Sequence, residues 1–445
     1  KHALEEHINK IISINIINQS AIEKKKFKVI VDGINSVGGF AVPELLKKIG
    51  VKKIYKRIFW TQKFGEFRFQ WQINIRDKKY YGKVGYNNIE SKAPVLDNTI
   101  YRIWSMTKPV VAIAALQLIE KNKLNLDDLV TKYLPEFSNL KVLKNIYSDI
   151  DEVEELKINP TIKDLFLHTA GFSYNFLADP IGRKYDEIKL FHSDTTTLEE
   201  EIKKLAQVPL LHQPRKNWVY SVSMDVLGRI LEVILNEPLQ NILQKNIFDP
   251  LEMEETKFTI PLDSEARLMQ TYEYDQINNR LKGLKNDPQK IGNFKYPLYE
   301  KNYARGGHGL FSTISDFSIF ARMLHTGKSI KGHTLLDNKT LKLMHTNALD
   351  DYYFPIEIPS IGIVRDVNYV NDLKAYGWGL GCRTLMDPVK NNNLGTLGEF
   401  GWAGAASTYF LVDNSKEMSA LIMTQVLNGS PELKKDFYKF IYTNF

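Results

Sequence analysis

Cysteine is nearly absent from this sequence. The single Cys382 excludes an internal disulfide and any zinc or iron–sulfur site built from several thiolates. Long apolar runs are missing as well, and none approaches the ~18 consecutive residues that a membrane-spanning helix needs. The nine histidines are scattered, with no H-E-x-x-H or other close pair, which argues against a zinc hydrolase. No G-x-S-x-G occurs, so the α/β-hydrolase route to serine chemistry is closed. Tandem repeats and low-complexity tracts are absent too. What is present, 43% hydrophobic, 25% charged and 11% aromatic residues over 445 positions, suits a folded chain of two or three domains or one large α/β enzyme.

The formal charge of +7 is local. Residues 1–57 hold twelve Lys/Arg against five Asp/Glu, and the remainder is balanced. This basic stretch lacks aromatic interleaving, so it reads as solvated charge and no nucleic-acid partner is expected. The chain starts at Lys1 and is expected to be a fragment. Nothing near that start has the charged, apolar and small-residue zones of a signal peptide, so a cytoplasmic location is expected.

Two blocks follow from the patterning. In residues 1–60, a helical spacing of Leu4, Ile8, Ile11 and Ile12 precedes a β-type run, Phe27–Asp32. A glycine-containing turn, Gly33–Gly39, then leads to a helix predicted to begin near Pro43 and stop at Gly50. Such a strand–turn–helix unit cannot bury both faces of its strand alone. Residues 1–55 resemble the opening of the second domain of phosphohexose mutases. The resemblance reaches neither that family's phosphoserine segment nor its metal-binding aspartate loop, so no activity is carried over.

The second block, 61–445, opens with two alternating strands, Glu66–Ile75 and Lys79–Val84, around the turn Arg76–Lys78. A mostly helical stretch spans about 105–300. Strands return at Tyr376–Thr384, Ser407–Asp413 and Met418–Gln425, and a helix over Pro431–Thr443 closes the chain. Strands at both ends with helices between them predict an antiparallel sheet completed by the termini, plus an all-helical insertion, in the α/β (α+β) class.

Chemistry concentrates at Trp104-Ser105-Met-Thr-Lys108-Pro109 and the apolar helix Val110–Ile119 that follows. Pro109 fits only the first helical turn, which places Ser105 at or just before the helix N-terminus. Ser105 and Lys108, three apart, share one face, and a half-buried lysine in its neutral form could accept the serine proton. Two further features accompany them. Tyr220 lies in the loop before the amphipathic helix Met224–Ile234, and the small-residue run Gly398–Ser407 leads into a strand. Taken singly, each has a plain structural reading: a helix cap, a packing tyrosine, a tight turn.

In chain order these motifs resemble those of serine β-lactamases and penicillin-binding proteins, on the class C β-lactamase and family VIII esterase branch. The segments Thr161–Gly171 and Gly306–Thr313 look like structural segments of the same family. The resemblance implies a β-lactamase/transpeptidase-like fold and carries roles over by position. Ser105 matches the acylated nucleophile, Lys108 its general base and Tyr220 the tyrosine that shares proton transfer. Trp402-Ala403-Gly404 stands where the family has its lysine–threonine–glycine strand triplet, so the N–H of Ala405 joins that of Ser105 in the oxyanion hole. His168 and His308 are expected to be structural.

Two departures bear on the substrate. Trp402 replaces the lysine that attracts a peptide carboxylate, and Val222 replaces the usual asparagine two residues after the tyrosine. A carboxylate entering there loses a charge-assisted partner worth ~1.5–3 kcal/mol, whereas a neutral ester loses nothing. The expectation is a carboxylesterase working through an acyl-serine on a small-molecule ester, without a cofactor or metal. Loops at about 173–200, 262–304 and 350–372 are expected to wall its pocket. A β-lactamase or D-alanyl-D-alanine carboxypeptidase, and a non-catalytic binding protein of the same fold, stand as alternatives.

Overall fold

The computed structural model describes the chain apart from residues 1, 15–17, 33–37, 58–67, 192, 194, 276, 277, 279, 285–289, 292, 293, 301, 361–368, 428 and 430. The chain forms two compact units: Lys1–Phe67 with Gln276–Arg280 and Phe440–Phe445, and Arg68–Asp275 with Leu281–Lys439.

In the first unit, helices α1 (His2–Ile12) and α2 (Gln19–Lys25) precede strand β1 (Lys28–Asp32), helix α3 (Gly38–Lys48) and strand β2 (Lys53–Arg57). The expected strand and helix are present, but α3 begins at Gly38 and takes Pro43 into its interior. The residue that signals a helix start therefore lies in the second turn, where its missing N–H removes one helical bond. A second strand, β2, pairs in parallel with β1, which makes the segment a β-α-β unit rather than a lone strand and helix. Most of the expected Gly33–Gly39 turn, the boundary near residue 60 and the residues Glu66 and Phe67 lie outside the described residues.

The second unit is built on a seven-stranded antiparallel sheet. Its strands are β3 (Phe69–Ile75), β4 (Lys78–Val84), β5 (Tyr376–Trp378), β6 (Arg383–Leu385), β7 (Phe400–Gly404), β8 (Thr408–Asp413) and β9 (Met418–Met423), in the order β5-β6-β7-β8-β9-β3-β4. The early strands thus complete the sheet formed by the late ones, as the sequence order implies. One expected strand, Tyr376–Thr384, is two: Gly379–Cys382 turns the chain, and β5 pairs back on β6. Gly381 adopts φ 121°, and a Cβ on it would meet the Ala112 methyl at 2.5 Å, so only glycine suits this corner.

Strand β3 alternates as predicted, yet nearly all of it is buried. On its polar face, the Gln72 amide donates to Ser318 Oγ at 2.6 Å, and Asn74 donates to Ser419 Oγ at 3.3 Å. Ser318 belongs to the helix Ile314–Met323, which packs on β3 and β9.

The apolar segment after Pro109 is helix α4 (Thr107–Glu120), with every residue from Thr107 to Leu118 buried. An apolar surface all the way round requires such a position, since an exposed face would forfeit ~25 cal/mol per Å². Helix α6 (Ser223–Leu235) packs on α4 and on α5 (Ile162–Phe166), while the helix α7 (Pro431–Asn444) ends the chain. Among the described residues no helix is long and apolar enough to cross a membrane.

Candidate active site

The nucleophile candidate sits on a tight bend between a strand and a helix. The short strand Ile100–Arg102 pairs with Phe311–Thr313, and the Ile103 N–H donates to Leu310 O at 3.0 Å. Trp104 then takes φ 48°, a left-handed conformation that costs a bulky residue about 1–3 kcal/mol. Packing holds it there: the buried Trp104 ring meets Tyr296 edge-on at 5.0 Å, and the Tyr296 hydroxyl donates to Leu310 O at 2.6 Å. The reversal starts a single 3₁₀ turn, Trp104–Met106, which runs into α4. Trp104 and Met106 are buried while Ser105 between them is partly exposed. Pro109 falls in the first turn of α4, as expected.

Lys108, one turn along, is 2% exposed, and its Nζ stands 3.2 Å from Ser105 Oγ. The same Nζ lies 2.9 Å from the Tyr174 hydroxyl and 2.7 Å from Gly307 O. Burial drives its pKa down to about 7, with the Asp225 carboxylate pulling the other way. The neutral amine is therefore well populated near neutral pH.

Tyr220 reaches the same point from the loop before α6. Its hydroxyl is hydrogen-bonded to the Ser105 side chain and accepts from Trp402 Nε1 at 3.1 Å. Lys108 Nζ lies 4.7 Å from the centre of the Tyr220 ring. Burial raises this phenol well above its usual pKa, so it holds its proton.

Trp402 and Gly404 come from β7, which packs against the 3₁₀ turn of Ser105. A Cβ at Gly404 would meet Ile103 O at 2.5 Å and Thr408 Oγ1 at 2.2 Å, so this strand reaches the nucleophile's turn only as glycine. Ala405 begins the turn after β7 and is partly exposed. Neither its N–H nor that of Ser105 donates to a protein acceptor among the described residues. Two backbone donors at this place can receive a developing oxyanion.

These residues surround a chemistry that one family uses, and its profile, described as Beta-lactamase, matches residues 71–441. The chain belongs to the beta-lactamase family. It is 30% identical to Protein Rv1367c of Mycobacterium tuberculosis, a match covering 80% of this chain and 83% of that protein. It is 25% identical to Esterase EstB of Burkholderia gladioli, covering 76% and 81%. The solved structure of EstCE1, a hydrolase with promiscuous acyltransferase activity, shares the fold at a TM-score of 0.68 and 23% identity, covering 85% of this chain and 94% of that one.

Not every expected position of the family's site reaches the cleft. Val222 is 1% exposed; it caps α6, its N–H donates to Ser173 O at 3.1 Å, and its side chain joins the core. His168, at φ 57°, accepts from the Ser221 N–H at Nδ1 (3.2 Å) and packs on Tyr220 and Trp378. Burial and the nearby Lys108 hold its pKa well below the usual value, so it is a neutral packing partner. His308 Nε2 pairs with the Tyr303 hydroxyl at 3.1 Å.

Two members of the site escape the sequence reading, Tyr174 and Asp225. Tyr174 lies just past the His168–Gly171 segment, stacked on Phe176 at 4.7 Å, and nothing distinguishes it there from other tyrosines. Asp225 does leave a signal: a carboxylate among Met224, Val226 and Leu227 at the start of a buried helix is out of place unless partnered.

A cavity of about 640 Å³ opens beside Tyr220. Leu177, Leu211, Trp218, Val219 and Ile358 give it largely apolar walls. Its charged wall residues each make a contact within the fold. Asp179 accepts from Ser173 Oγ at 2.6 Å, Arg183 donates to Ala178 O at 2.6 Å, and Glu357 pairs with Lys374 at 3.5 Å. Of the loops expected to wall a pocket, those at 173–200 and 350–372 line this one.

Proposed function

We propose that the protein is a serine hydrolase that cleaves neutral carboxylic esters through an acyl-serine. The observation that carries this reading is the convergence of Ser105, Lys108 and Tyr220 with Trp402 in place of a cation.

The hydrogen-bond directions divide the labour. Trp402 Nε1 can only donate, so the Tyr220 oxygen accepts from it and turns its own proton toward Ser105 Oγ. Ser105 then directs its proton to Lys108, whose neutral amine takes it as Oγ attacks the ester carbon. The carbonyl oxygen becomes an oxyanion against the N–H groups of Ser105 and Ala405. Collapse breaks the bond to the alcohol, which leaves with the Tyr220 proton, and the Lys108 ammonium restores that proton to the phenol. Water repeats the cycle on the acyl-enzyme. Tyr220 thus acts as the acid and Lys108 as the base.

The largely apolar cavity next to Tyr220 suits the apolar part of an alcohol. The similarity to EstB, an esterase, and to EstCE1, a hydrolase, agrees with ester chemistry. Steady-state hydrolysis of p-nitrophenyl butyrate, compared with nitrocefin, tests the reading. Ester turnover that disappears in Ser105→Ala, with nitrocefin hydrolysed far more slowly, is expected; nitrocefin turned over at a matching rate would favour the β-lactamase alternative.

A further inference from the structure

A neutral amine has two N–H groups and one lone pair, and only the lone pair makes Lys108 a base. Around its Nζ stand three oxygens: Ser105 Oγ, Gly307 O and the Tyr174 hydroxyl. Gly307 O can only accept, so it takes one N–H. The Tyr174 hydroxyl could accept the other or donate into the lone pair, and the second choice would silence the base.

Asp225 decides between them. Its Oδ1 accepts from the Gly307 N–H at 2.9 Å, and its buried Oδ2, without a hydrogen-bond partner among the described residues, lies near the Tyr174 hydroxyl. Gly307 is pinned beneath both, since a Cβ on it would meet Asp225 Oδ2 and Tyr174 Oη each at 2.4 Å. A carboxylate accepts and cannot donate, so Oδ2 is the acceptor toward which the Tyr174 proton can turn, and the Tyr174 oxygen is left to accept from Lys108. The second N–H is then taken, and the lone pair is left facing Ser105. The same Gly307 supplies its N–H to Asp225 and its carbonyl to Lys108, tying the two ends together.

We propose that Asp225, acting through Tyr174, is a positioning residue that turns the lone pair of Lys108 onto the hydroxyl of Ser105. This rests on the reading of Ser105 as the nucleophile and adds to it a reason for a carboxylate buried where the reaction never touches it. The groups bearing on Lys108 from the surrounding elements are Asp225, Tyr174, Tyr220 and His168, with Arg305 facing Asp225 from the far side.

The test is the rate at which a fluorophosphonate labels Ser105, followed across the neutral pH range in the wild type, Asp225→Asn and Tyr174→Phe. Asn keeps the acceptor for Gly307 N–H but offers an N–H₂ to Tyr174, which reverses the chain. Asp225→Asn is expected to slow plateau labelling by about 10- to 100-fold. Its acid limb should move to lower pH, because a lost negative charge favours the neutral amine. Tyr174→Phe should slow labelling by about tenfold with the limb in place. A purely structural role makes the opposite prediction for Asp225→Asn, a limb rising toward that of an ordinary lysine as water enters. That result, or wild-type labelling rates in both variants, overturns the proposal. Should Asp225→Asn not fold, a wild-type rate in Tyr174→Phe overturns it alone. Failure of the wild type to label at Ser105 removes the nucleophile reading itself, and the proposal with it.

Discussion

Trp402, on strand β7, donates its indole N–H to the Tyr220 hydroxyl across 3.1 Å. This indole therefore does two things: it lines the site without a charge and turns the Tyr220 proton away from itself. Trp402→Phe keeps the apolar wall and loses the donor. The expected outcome is a kcat for p-nitrophenyl butyrate about tenfold lower, in line with one neutral hydrogen bond of ~1–1.5 kcal/mol, with KM little changed. An unchanged kcat would show that Tyr220 needs no such orientation.

The pH dependence should follow Lys108. Its pKa, driven down to about 7 by burial, makes the amine neutral above that value and protonated below it. A base must be neutral to accept, so kcat/KM is expected to fall with unit slope as pH drops through about 7. Tyr220 and Tyr174, both pushed upward, should add no limb in the neutral range. A profile flat down to the carboxylate range would mean that Lys108 is not the base.

Gly404 tests the seating of β7. Alanine there drives a methyl into Ile103 O and Thr408 Oγ1, and backbone on one side cannot yield cheaply. Displacement of the strand carries Ala405 and Trp402 away from Ser105, so kcat/KM for Gly404→Ala should drop by about 100-fold or more. Circular dichroism should remain that of the wild type.

Away from the site, Tyr438 bridges two buried charges. Arg383 Nη2 donates to its hydroxyl at 2.8 Å, and that hydroxyl donates to Glu399 Oε1 at 2.8 Å. Tyr438→Phe severs both bonds and should lower the unfolding free energy by about 2–3 kcal/mol in urea titration. Ester kcat should be unaffected.

Much of this molecule is legible in its sequence. The position of Pro109 locates Ser105 at the helix start, and an apolar surface all round announces α4 as the buried centre. Short strands at both chain ends announce the antiparallel sheet. What stays hidden depends on tertiary contacts. Gly381 turns the chain against a methyl of α4, which splits one expected strand into two. Pro43 signals a helix start because propensity favours that place, yet α3 absorbs it. Tyr174 and Asp225 meet Lys108 from distant segments and carry no spacing motif. Only the oddity of a carboxylate in a buried helix hints at them.

The central claim is a covalent acyl-serine at Ser105. Rapid acid quench of the protein during turnover of p-nitrophenyl butyrate, followed by peptide mass spectrometry, tests it most directly. A butyryl adduct confined to the peptide bearing Ser105, and absent from Ser105→Ala, is the result expected. An adduct on another residue, or full ester turnover by Ser105→Ala, would contradict it.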